Sequence, residues 1–153
     1  MKQDVTILVA EDDEGHFELI RKNLERAGVG GQILRFADGQ HLLDFFSQPP
    51  GSGRDGAQYL IILDIRMPRL NGGGVLERLK RDRELRKIPV LVLTTADDPQ
   101  EVERHHALGC GVYVVKPLDY DAFVDAIHRL GRFLSVVRFP TIEPSRVGRE
   151  TCP

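Results

Sequence analysis

Four short apolar runs in this chain each stop at residues able to hold a metal, a phosphate or a proton, and that repetition narrows the folds open to it. Val5–Ala10 runs into Glu11, Asp12 and Asp13, and residues 59–63 run into Asp64. Residues 89–93 end at Thr94 and Thr95, and Val112–Val115 runs into Lys116 and Pro117. Each run has the length of a strand, and near-continuous apolar character marks strands covered on both faces. A fifth, weaker strand is expected over residues 32–37.

Helical spacing fills the intervals. Phe17, Leu19, Ile20 and Leu24 lie on one helix face, with Ala27 and Gly28 as a stop. Asp38 reads as the N-cap of a helix carrying Leu42, Leu43, Phe45 and Phe46. Val75, Leu76 and Leu79 mark a third helix. Gly72, Gly73 and Gly74 make its start unusually rich in glycine, which predicts a mobile segment. Asp98 and Pro99 supply a cap and a first-turn proline for a fourth helix, which Gly109 and Gly111 end. Phe123, Ile127, Leu130, Leu134 and Val137 trace the apolar stripe of the last. Residues 49–58 read as a loop by composition.

Five such units imply an α/β fold, a doubly wound parallel sheet with helices on both faces. For five strands the common order is 2-1-3-4-5. The expected organisation is one domain over residues 4–138 and a flexible tail over 139–153, without a repeat or an output domain.

Composition removes several function classes. Net charge is −2, and the densest basic stretch, residues 78–87, is interrupted by Asp82 and Glu84, so it reads as a solvated helix end. No secretory pattern opens the sequence and no apolar span reaches the roughly 18 residues that cross a bilayer. The expectation is a soluble, cytoplasmic chain that binds neither nucleic acid nor membrane. Cys110 and Cys152 suggest neither a disulfide framework nor a zinc site. Cys110 reads as a packing residue and Cys152 as exposed. His16, His41, His105, His106 and His128 show no ligand spacing and read as structural or surface residues, with His105 and His106 a candidate partner-facing pair.

In open parallel sheets the carboxyl ends of the strands converge on the ligand site. Glu11, Asp12, Asp13, Asp64, Thr94 and Lys116 would therefore meet at one edge. Two carboxylates about 4 Å apart repel by roughly 4 kcal/mol at an effective dielectric near 20. Either one takes a proton or a cation neutralises the group. Hard oxygen donors without histidine or thiolate favour Mg²⁺. A carboxylate in such a site can attack phosphorus, with Lys116 and the Thr94 hydroxyl positioned for the phosphoryl oxygens.

The segments VAEDD, LDIRMPRLNG, VLTTAD and YVVKP, in that order over roughly residues 5 to 135, strongly resemble the receiver domain of two-component response regulators. The resemblance implies a flavodoxin-like (βα)5 fold that accepts a phosphoryl group from a sensor histidine kinase and is not a classical enzyme. It implies Asp64 as phosphoacceptor, Thr94 and Lys116 at the phosphoryl group, and Mg²⁺ bound directly by Asp12, Asp64 and the backbone carbonyl of Arg66, with Glu11 holding a metal-bound water. Tyr113 matches the aromatic switch position that turns inward with Thr94; a static strand tyrosine is the other reading. A cis peptide before Pro117 is also implied. Thr95 stands where many receivers have a smaller residue. Residues 38–46, the 49–58 loop and the Arg138-Phe139-Pro140 ending look similar to single-domain regulators of bacterial phytochrome kinases, which tend to be homodimers. Phe133, Val136 and Phe139 are the corresponding interface candidates, with burial by the tail as the alternative.

Two rival chemistries fail on residue type. A dehalogenase-type phosphatase needs a second aspartate two residues after the nucleophile, where this chain has Arg66. A dinucleotide site needs glycines after the first strand, where the acids of Glu11 to Glu14 would repel a pyrophosphate. A receiver fold used for interaction without phosphorylation stays open.

Overall fold

The computed structural model describes residues 5–29, 31–47 and 57–142. Strands and helices alternate: β1 (Val5–Ala10), α1 (Glu14–Arg26), β2 (Ile33–Phe36), α2 (Gly39–Phe45), β3 (Ala57–Leu63), α3 (Gly72–Arg81), β4 (Val90–Thr94), α4 (Pro99–Ala107), β5 (Val112–Val115), α5 (Tyr120–Leu134) and β6 (Thr141–Ile142). A 3-10 turn at Leu85–Lys87 precedes β4. Five strands run parallel in the order β2-β1-β3-β4-β5, the expected flavodoxin-like winding, and β6 pairs antiparallel with β3.

Local chemistry sets the helix boundaries. Asp13, Asp38, Asn71, Asp98 and Asp119 each accept a backbone N–H from the first turn of the helix that follows. Gly28 and Gly109, at φ of +86° and +105°, turn the chain out of α1 and α4 in the left-handed conformation.

Alternation along the strands divides the core in two. Leu8, Ala10, Ile61, Leu63 and Val92 face α2 and α3, packing with Leu42, Val75, Leu76 and Leu79. Ile7, Val9, Leu60, Ile62 and Leu93 face α1 and α5, packing with Phe17, Ile20, Leu24, Phe123 and Ile127. Both faces of β1, β3 and β4 are thus covered, which is why those strands read as continuous apolar runs.

Three expectations change. β3 begins at Ala57, inside the stretch read as a loop; residues 49–56 lie outside the described residues. The tail reading fails for its first residues. Phe139 and Ile142 are buried in the two opposite core clusters, and Thr141 and Ile142 pair with Gln58 and Ala57. Gln58 already pairs with Val5 on one side, so β6 takes its other side, in the lane β4 enters only from Ile61 onward. An open backbone edge and two apolar side chains explain why this segment docks. Residues 143–153, including Cys152, lie outside the described residues. Finally, Gly72 serves close packing: a β-carbon there would lie 2.7 Å from the Ile65 Cα, which only glycine permits.

Candidate functional site

Sheet register places the acids. Ala10 pairs with Leu63, so Glu11 and Asp64 leave β1 and β3 side by side, and the Asp64 N–H donates to the Ala10 carbonyl across 3.0 Å. Arg35, in β2, fixes the loop after β1 by donating to the Glu11 carbonyl at 3.2 Å and the Asp12 carbonyl at 2.9 Å. Thr94 closes β4, and the Lys116 N–H donates to its carbonyl across 2.7 Å. The residues at four strand ends are thereby brought together as the sequence predicts.

The Asp64 carboxylate accepts from the Thr94 hydroxyl at 2.8 Å and from the Arg66 N–H at 3.1 Å through Oδ1. Lys116 Nζ stands 3.3 Å from Oδ2 and 3.0 Å from Glu11 Oε1. Glu11, Asp64, Thr94 and Lys116 are buried, while Asp12 is exposed. Asp13 turns away to cap α1.

These acids do not titrate alike. Burial pushes the Glu11 carboxyl up to about 8, its hydrogen bond with Asp64 adds to the rise, and Lys116 opposes it. Burial also raises Asp64, but the hydrogen bond from Glu11, the Lys116 charge, the Arg66 N–H and the Thr94 hydroxyl outweigh it and hold Asp64 below the usual carboxylate range. The two carboxyls are thus pushed in opposite directions, Glu11 up and Asp64 down. One oxygen from each of Glu11, Asp12 and Asp64 lies within 4.8 Å of the others. Three carboxylates beside a single ammonium leave room for more positive charge, and their donors are all hard oxygens. The residues fit Mg²⁺.

Around this centre the other predicted residues fall out differently. Tyr113 is half-buried and its hydroxyl donates to the Ala96 carbonyl across 2.7 Å. The Ala96 N–H in turn points to Thr94 Oγ1 at 3.4 Å, linking the tyrosine to the site through one residue. The peptide before Pro117 is trans, as is every described peptide, and trans is the lower-energy form of an X–Pro bond by about 0.5–1 kcal/mol. Phe133 and Val136 are exposed, at 56% and 75%, but Phe139 is 8% exposed and belongs to the core. His105 is fully buried, its Nδ1 2.8 Å from the Glu101 carbonyl, so of the proposed pair only His106 faces outward.

His16 is the residue that sequence reading missed. Its Nδ1 lies 3.0 Å from Glu11 Oε1 and 3.3 Å from Lys116 Nζ. Spacing carries no signal for this, because the contact needs α1 and the end of β5 to meet in space. His16, Thr95, Lys116, Leu118, Tyr120 and Phe123 also line a cavity of about 350 Å³.

Comparison with known proteins agrees with this geometry. The family model described as response regulator receiver domain matches residues 7–128. A response regulator receiver domain from Rhodospirillum rubrum is 41% identical with a TM-score of 0.83, covering 90% of this chain and 99% of that one. The phosphorylated cyanobacterial phytochrome response regulator RcpA is 25% identical with a TM-score of 0.79, covering 88% and 97%. The bacteriophytochrome response regulator RtBRR is 34% identical with a TM-score of 0.67, covering 90% and 83%. Among the described residues no helix is long and apolar enough to cross a membrane.

Proposed function

Because the chain belongs to the response regulator receiver family, we propose that it works in a two-component pathway by accepting a phosphoryl group on Asp64. The observation that carries this reading is the set of contacts on one buried carboxylate. Asp64 is held ionised, with the Thr94 hydroxyl 2.8 Å away on one oxygen and the Lys116 ammonium 3.3 Å away on the other. A nucleophile already flanked by the donors that its product requires loses little entropy on reaction.

In the transfer, an Asp64 oxygen forms a bond to phosphorus as the bond to the donor atom breaks, and that atom leaves with the electron pair. Lys116 and Thr94 then donate to phosphoryl oxygens. Glu11, Asp12, Asp64 and the Arg66 carbonyl would hold Mg²⁺, which supplies neutralisation of phosphoryl charge when bound. The donor is a sensor histidine kinase, and the phytochrome regulators among the similar structures favour a bacteriophytochrome kinase.

The new charge on Asp64 biases the Thr94–Ala96–Tyr113 linkage, and output follows through protein contact rather than turnover of a substrate. Phe133 and Val136, exposed at the end of α5, favour a homodimer as the signalling form in the cytoplasm. Intact mass after incubation with acetyl phosphate and Mg²⁺ tests the central step. One added phosphoryl group in wild type and none in Asp64→Asn is expected; equal labelling of both would sink the assignment.

A further inference from the structure

Glu11 Oε1 has two neighbours at the same distance. Lys116 Nζ and His16 Nδ1 each lie 3.0 Å away, with 3.3 Å between them. With its proton on Nδ1, His16 is a second donor to an oxygen that has lone pairs for both. The His16 backbone is fixed by the cap of α1, its N–H donating to Asp13 Oδ1 at 2.9 Å, and its ring lies 6.3 Å from that of Phe123.

This sharing matters for Lys116. The ammonium divides itself between Glu11 at 3.0 Å and Asp64 at 3.3 Å, so the buried glutamate competes for the cation that the phosphoryl group needs. When Lys116 moves toward the phosphoryl group, Glu11 Oε1, on a residue 2% exposed, loses a donor. With His16 present, the oxygen keeps a partner.

We propose that His16 is a positioning residue that shares Glu11 Oε1 with Lys116 and so frees the ammonium to follow negative charge onto the phosphoryl group of Asp64. The proposal rests on the phosphoacceptor reading above. His16 touches neither Asp64 nor phosphorus in this arrangement; it acts through Lys116.

The test is the rate of Asp64 phosphorylation by acetyl phosphate with Mg²⁺, in four variants of the full chain. His16→Leu removes the donor and should slow the reaction roughly fivefold, the size of one hydrogen bond. His16→Asn, whose amide can take the place of Nδ1–H, should stay within about twofold of wild type on the same scale. In a Lys116→Met background, His16→Leu should add no further slowing, because the two residues act as a unit. A leucine variant as fast as wild type overturns the proposal, and so does full additivity with Lys116→Met. Should wild type take up no phosphoryl group, the phosphoacceptor reading falls on its own account. The ¹⁵N imidazole spectrum of the wild type then decides His16: a proton on Nδ1 supports the sharing, and a tautomer protonated only on Nε2 overturns it.

Discussion

The hydroxyl of Thr94 donates to Asp64 Oδ1 across 2.8 Å, with Thr94 fully buried. The bond links the last residue of β4 to the residue that follows β3. Removing it with nearly unchanged shape, as Thr94→Val, leaves an ionised carboxylate one donor short. Hydrogen bonds to charged groups are worth about 1.5–3 kcal/mol, so urea unfolding at neutral pH should show a loss of that order. A stability equal to wild type would mean that water replaces the hydroxyl.

Glu11 makes the site sensitive to pH. Its carboxyl has an ordinary value of 4.5 and stands at about 8 in the folded chain. Between those values the folded state binds the proton and the unfolded state does not, so this group's contribution is full below the ordinary value and is lost as pH rises through about 8. Asp64, held low, contributes in the opposite sense, losing its stabilisation only as pH falls through its folded value. Without metal, thermal unfolding from pH 5 to 8 should therefore show a decline that Glu11→Gln abolishes.

Mg²⁺ should invert that dependence. The cation needs the Glu11 carboxylate, so binding releases its proton and affinity should climb with pH up to about 8. Calorimetry in two buffers of different ionisation enthalpy would show the released proton. A metal affinity flat from pH 6 to 8 would remove Glu11 from the metal set.

Neighbouring glycines separate packing from propensity. A β-carbon at Gly72 would meet the Ile65 backbone at 2.7 Å, one residue from Asp64, while at Gly73 its nearest neighbours stand 3.5 Å away. Gly72→Ala should cost about 1–3 kcal/mol through backbone displacement. Gly73→Ala should be neutral or gain up to about 1 kcal/mol from helix propensity. Unfolding midpoints of the two variants decide it, and equal effects would refute the packing argument.

The segment after α5 separates core from interface. Phe139→Ala should cost about 3–5 kcal/mol, because a buried aromatic leaves a cavity. Phe133→Asp should change monomer stability by no more than about 0.5 kcal/mol. Light scattering then reads the proposed dimer: Phe133→Asp should shift the chain toward monomer, and an unchanged mass would exclude this face.

Much of this was legible in one dimension. Strand ends at Glu11, Asp64, Thr94 and Lys116 follow from apolar runs that stop at polar residues, and the helix starts follow from Asp38 and Asp98, whose side chains cap their own next turn. These are local effects, set by residues within a few positions of each other. Parallel winding then forces the strand ends together, so the site's membership was readable before any distance was known.

What tertiary structure alone decided are relations between residues far apart in sequence. His16 meets Lys116 because α1 and the end of β5 converge, and no spacing rule reaches across 100 residues. Phe139 and Ile142 read as tail because Pro and Arg surround them, yet an unfilled lane beside β3 and two apolar clefts give them somewhere to bury. The inequality of the acids is tertiary too. Sequence makes Glu11 and Asp64 near-equivalent carboxylates; burial and the placement of Lys116, Arg66 and Thr94 push the first up and hold the second down.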